Sequence, residues 1–129
     1  GVKIADNALI LGVEFKGSAE VSEYTRLIGA PKIIIGDNFY VNVGCHFLGE
    51  IEIGADVAIG PKVVFWGRDH GIKLGETMRA QGHSGAKIFV GDDVWIGANV
   101  TVLKGVSLSS GCVVGAGSVR GGEVFFEDF

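Results

Sequence analysis

The sequence predicts an all-β chain wound as a single-stranded parallel β-helix, a solenoid of short strands and turns. Three observations predict it. Aliphatic or aromatic residues recur at every sixth position, at Ile35, Val41, Phe47, Ile53, Ile59 and Phe65, and again after an interruption at Val90, Ile96, Val102, Leu108 and Val114. A second small or apolar residue sits four positions after these: Phe39, Cys45, Ile51, Val57 and Val63, then Val94, Val100, Val106, Cys112 and Ser118. Glycine follows many of the ladder residues, at Gly36, Gly54, Gly60, Gly91, Gly97 and Gly115.

A strict period of six fits neither a helix of period 3.6 nor a simple strand of period 2. If each hexad is a short strand plus a turn, three hexads close one triangular coil, and the repeated apolar positions stack coil over coil into an interior ladder. The glycines suit turns that need positive φ or a close backbone approach, and Asp37-Asn38 and Asp92-Asp93 add turn chemistry. A β-sandwich with glycine-rich hairpins is the alternative, and it does not account for so regular a period.

The chain reads as one β-helix domain over residues 1–129. Residues 1–34 form irregular first coils, where Ile4 and Ile10 suggest one degenerate turn and Glu20 to Arg26 is polar. Regular hexads occupy 35–65 and 90–119. Between them, 66–89 (Trp66 to Phe89) keeps no hexad register and forms a protruding loop, long enough to be functional. Residues 120–129 make an atypical tail.

Composition narrows the function. The chain is 47% hydrophobic with 22 glycines and two prolines, so it is neither disordered nor collagen-like. A net charge of -4 with eleven scattered basic residues offers no footprint for nucleic acid and no polybasic membrane patch. No apolar run approaches the roughly 20 residues that span a bilayer, and no signal-peptide pattern opens the chain, so a cytoplasmic protein is expected. Cys45 and Cys112 are too few for a disulfide framework and lack metal-type spacing. Both occupy inward positions, where a thiol behaves as a small hydrophobe.

The segment VGDDVWIGANVTVLKGVSLSSGCVVGAGSV, Val90 to Val119, resembles the C-terminal coils of left-handed β-helix hexapeptide-repeat acyltransferases, especially sugar and capsule O-acetyltransferases of the galactoside and maltose acetyltransferase type. The resemblance runs from about Ile33 to Val119. It implies left-handed coils, against the general right-handed rule for parallel crossovers. It also implies a homotrimer with active sites between subunits, acetyl-CoA as co-substrate, and transfer of its acetyl group to a hydroxyl of a saccharide-like acceptor.

The resemblance assigns the catalytic role to His70, in the Asp69-His70 pair at the start of the 66–89 loop. A neutral imidazole there would accept the acceptor hydroxyl's proton as that oxygen attacks the thioester. Asn42, in YVNVGC, resembles the family asparagine that contacts the acceptor; its alternative is a turn asparagine. Asp69 and His83 complete the acceptor-side candidates, with Asp69 or Glu76 able to orient the imidazole. Trp95 precedes a ladder residue and should face outward beside the acyl donor. Gly97, Ala98, Gly115 and Ala116 match positions where the pantetheine arm lies against the backbone, although turn geometry alone also accounts for small residues there.

Three other readings share the fold. A zinc hydratase of the γ-carbonic anhydrase kind needs three converging imidazoles; His46, His70 and His83 do not have that spacing, and no metal is expected. An antibiotic-modifying acetyltransferase lacks its longer loop motif here. A truncated or catalytically impaired structural relative is suggested by the tail, where Gly121 and Gly122 replace the family's Thr-Lys pair and the acidic end would repel CoA phosphates. Lys104 or Arg120 would then be left to compensate.

Overall fold

The computed structural model describes residues 1–121, so the expected atypical tail falls outside the described residues except for Arg120 and Gly121. The chain is an all-β solenoid of parallel strands stacked coil on coil. Its first face stacks Val2–Ile4, Ala19–Val21, Phe39–Val41, Ala58–Ile59, Trp95–Ile96 and Val113–Val114 in that order. The longer strands Leu9–Phe15, Arg26–Ile35 and His46–Ile53 each serve two faces. Their first halves carry the second face, continued by Val64–Trp66, Thr101–Leu103 and Val119–Arg120. Their second halves carry the third, continued by Ile88–Val90 and Ser107–Leu108. Trp95 pairs with Val113 and Thr101 with Val119, each eighteen residues on, which is three hexads per coil.

The sixfold ladder is the core. Every ladder residue from Ile35 to Val114 is at most 5% exposed, and Phe47 stacks on Phe65 with ring centroids 4.1 Å apart. The second positions are buried from Phe39 to Val106, whereas Cys112 and Ser118 in the last described coil are half-buried. The Cys45 thiol lies 3.2 Å from the Gly60 carbonyl, and burial pushes its pKa up, consistent with an inert core thiol.

Except for Gly115, the ladder glycines serve close approach, and none has positive φ. A Cβ on Gly36 would sit 2.6 Å from the Gly54 carbonyl carbon, and one on Gly54 would sit 2.8 Å from that of Gly91. Positive φ falls instead on Asn38, Asp56 and Asp93. The aspartates tie one coil to the next: Asp37 Oδ1 accepts from the Ser18 amide at 2.7 Å and Asp92 Oδ1 from the Ala55 amide at 2.8 Å.

The opening segment departs from expectation. Residues 19–21 and 26–35 are ordinary coil strands, not an irregular turn. The pairing register shifts between Gly29 and Ile33, where this coil holds two more residues than the coil above holds between Gly49 and Ile51. Ala30-Pro31 bulges out at that corner, leaving Leu27 and Ile33 buried on either side. Among the described residues, no helix is long and apolar enough to cross a membrane.

Candidate active site

The insertion leaves the solenoid at the corner between the second and third faces, after Trp66, and rejoins it at Ile88. The sequence leads to a protruding loop without hexad register here, and its base is a two-stranded antiparallel ribbon of Arg68–His70 against His83–Gly85. Gly71 donates to the Gly82 carbonyl at 2.9 Å, closing the ribbon end. Beyond it, Gln81 folds the excursion on itself: Oε1 accepts from the Lys73 amide at 2.9 Å and Nε2 donates to the Lys73 carbonyl at 3.0 Å. A single 3-10 turn spans Met78–Ala80.

Side chains alternate along strands, so the register decides which groups meet. His70 pairs with His83 and Arg68 with Gly85, placing the two imidazoles and the guanidinium on one side of the ribbon. The imidazole centroids are 4.1 Å apart. Both histidines are exposed. Desolvation, the neighbouring His70 and then Arg68 hold the His83 pKa below the ordinary imidazole range.

Asp69 and Ser84 point to the opposite side, where Lys104 reaches both. Its Nζ lies 3.5 Å from Asp69 Oδ2 and donates to Ser84 Oγ at 3.1 Å. Asp69 is thus directed at Lys104 and not at the imidazole, and Lys104 pins the ribbon from the next coil. Glu76 takes part only through its backbone carbonyl, which accepts from Gln81 Nε2 at 3.3 Å.

The remaining predicted residues collect at another corner, between the first and second faces. Asn42 follows Phe39–Val41, and its Oδ1 accepts from the Val43 amide at 2.8 Å, so its turn role is real. Gly97 stacks under Gly115 in the same column, with the Gly97 amide donating to the Val114 carbonyl at 2.9 Å. A Cβ on Gly97 would strike the Ala116 amide nitrogen at 2.8 Å, so its smallness already serves coil stacking, while Gly115 has open space around it. Trp95 points outward as expected, 59% exposed, above Ala58 and below Val113. His46 lies on the second face rather than at a corner, half-buried against Trp66 with ring centroids 5.9 Å apart. Among the described residues, no three potential metal-ligating side chains cluster.

A family model described as the hexapeptide repeat of succinyl-transferase matches residues 87–119. The Saccharomyces cerevisiae protein named "Putative acetyltransferase YJL218W" is 39% identical over 90 residues, covering 67% of this chain and 45% of the relative. Among solved structures, a maltose O-acetyltransferase from Clostridium difficile superposes with TM-score 0.76 at 30% identity, over 88% of this chain and 61% of that one. A hexapeptide-repeat acetyltransferase from Vibrio cholerae, solved with acetyl coenzyme A, gives TM-score 0.68 at 29% identity, over 86% and 61%. The chain belongs to the hexapeptide-repeat acyltransferase family. It spans about half the length of the curated relatives it matches.

In this hexapeptide-repeat chain, the structure brings together His70 and His83 and sets them apart from Asn42, Trp95 and the Gly97–Gly115 column by the width of the second face. Between the two groups, Leu11, Ile28, Leu48, Trp66 and Leu103 share one outward row. Sequence reasoning missed Arg68 as a site residue and Lys104 as the ribbon's anchor. The alternation Arg68-Asp69-His70 against His83-Ser84-Gly85 is the signal that a ribbon reading would have used.

Proposed function

We propose that the protein is an O-acetyltransferase that moves the acetyl group of acetyl-CoA to a hydroxyl of a saccharide-like acceptor. The observation that carries this reading is His70, exposed on a ribbon held by Lys104 and by backbone bonds, in a family whose relatives are named acetyltransferases. His70 removes the acceptor hydroxyl's proton as its oxygen bonds to the thioester carbonyl carbon. The carbon–sulfur bond then breaks, and the thiol leaves with that proton. Positioning both substrates supplies much of the remaining acceleration.

The acyl donor lies along the first-face corner, against Trp95 and beside Gly97, Ala98, Gly115 and Ala116, with Asn42 and His83 on the acceptor. Within one chain His70 and His83 stand at one edge of the second face, and Asn42, Trp95 and the Gly97–Gly115 column at the other. A homotrimer closes the site by setting one subunit's ribbon beside its neighbour's first-face corner. Two residues of the row Leu11, Ile28, Leu48, Trp66 and Leu103 support this, because Leu11 is 52% and Trp66 37% exposed in the single chain, while Leu48 is already buried.

The test is calorimetric titration with acetyl-CoA, then thiol release across a panel of sugars. Micromolar binding and a fall of about 10²- to 10⁴-fold in turnover for His70→Ala are expected. No binding at millimolar acetyl-CoA by a folded trimer overturns the reading.

A further inference from the structure

Beside His83, the ribbon covers a cleft whose other lining residues have no role in the catalytic reading. About 280 Å³ in volume, it lies between the His70–His83 side of the ribbon and the corners of the two coils below, lined among others by Arg68, His83, Glu50 and Ala30-Pro31. That places it just under the usual size of a small-molecule pocket, with room for one sugar unit. The two-residue bulge at Ala30-Pro31 builds one wall, so the irregularity in the second coil shapes this cleft.

Arg68 is the unusual member. Its Nε is shut off from solvent and has no hydrogen-bond partner, and its side chain forms no ion pair among the described residues. The buried Nε is closed to a ligand, but the residue is half-buried and its remaining guanidinium nitrogens also have no hydrogen-bond or ion-pair partner among the described residues, so they are the donors an acceptor in the cleft would meet. Lys104, by contrast, is occupied on the far side of the ribbon. A guanidinium presents a planar fork of donors that matches a carboxylate or phosphate. Gly85, opposite Arg68 on the ribbon, packs close to the coil, where a Cβ would meet the Gly67 carbonyl oxygen at 3.2 Å.

We infer that this cleft is an anion subsite of the acceptor site, in which Arg68 holds the carboxylate or phosphate of an acidic saccharide while the reacting hydroxyl lies toward His70. The inference rests on the acetyl-transfer reading for the word acceptor, but binding tests it separately. His83 lies beside both groups, so an N–H of its neutral imidazole donates to the same anion or an adjacent hydroxyl. Glu50, the carboxylate on the cleft's other wall, opposes an anion placed next to it and accepts from sugar hydroxyls. The pairing of one cation with one carboxylate therefore orients a sugar that carries both an anion and hydroxyls.

The experiment compares a uronic acid, its neutral methyl ester and the matching sugar phosphate, first for binding to the whole chain by ligand-observed NMR, then as acceptors with acetyl-CoA. Binding of the acid or the phosphate about 10- to 100-fold tighter than the ester is expected; which of the two binds tighter identifies the anion. That preference should vanish in Arg68→Met and return in part in Arg68→Lys, with circular dichroism confirming that both variants fold. Equal binding of acid, phosphate and ester, or a preference that survives Arg68→Met, overturns the inference even if neutral sugars are acetylated. Arg68-dependent binding without acetyl transfer supports the subsite and instead overturns the catalytic reading.

Discussion

The imidazole of His70 lies 4.1 Å, centroid to centroid, from that of His83 across the antiparallel ribbon, with the rings tilted by 41°. Two cations at that distance oppose one another, so the pair resists carrying two protons. His83 has a pKa below its reference value of 6.5, chiefly through desolvation and then through His70 and Arg68. The folded ribbon therefore prefers neutral His83. Its contribution is present above the ordinary imidazole range and is lost as pH falls through that range toward the lowered value. NMR titration should place the His83 midpoint below 6.5 in the native protein and move it upward in His70→Ala. A midpoint that does not respond to the substitution would show that the rings are uncoupled.

Lys104 anchors the ribbon through Asp69 at 3.5 Å and Ser84 at 3.1 Å, and both it and Asp69 are partly exposed. Exposed pairs contribute little to global stability. Lys104→Met should lower Tm by about 3 °C or less, yet loosen the strands that hold His70. Amide exchange at Asp69 and Ser84 should quicken, and turnover should fall by more than the change in acetyl-CoA affinity. A loss of affinity with turnover unchanged would place Lys104 on the donor, as its charge alone suggested.

Trp95 is 59% exposed, with small Ala58 on one side of it. Bound acetyl-CoA should shield it from iodide quenching, and Trp95→Ala should raise the KM for acetyl-CoA about tenfold with kcat less affected. Trp66, buried to a greater extent, serves as the internal contrast. Unchanged quenching at saturating acetyl-CoA would remove Trp95 from the donor site.

Two glycines give a paired test of the coil stacking. A Cβ on Gly36 meets Gly54 backbone at 2.6 Å, and neither backbone can move without separating two coils; on Gly82 it meets nothing within 4 Å. Gly36→Ala should cost about 1–3 kcal/mol in urea unfolding, and Gly82→Ala should stay within about 0.5 kcal/mol. Equal effects would mean that glycine spacing does not set the coil separation.

The sixfold ladder made the coil legible because burial in a solenoid repeats locally. Each of Ile35, Val41, Phe47 and Ile53 meets its equivalent one coil away, so composition at one position reports on the whole stack. Trp95 was legible for the same reason, since the residue before an inward one must point out. Residues 1–34 were read as irregular because Ala30-Pro31 displaces the ladder by two residues, and a period search cannot distinguish an insertion at a corner from the loss of a coil.

By itself, then, the sequence determined the solenoid, its core and the place where an excursion leaves it, because a repeated pattern of burial admits one register. Only the tertiary structure decided what the excursion does. His70 and His83 are thirteen residues apart with no periodicity between them, and their meeting depends on the ribbon register, in which a slip of one residue would turn His83 toward Lys104. Arg68 without a partner among the described residues, Asp69 turned to Lys104 and the cleft under the ribbon all follow from that one pairing, which no single strand encodes.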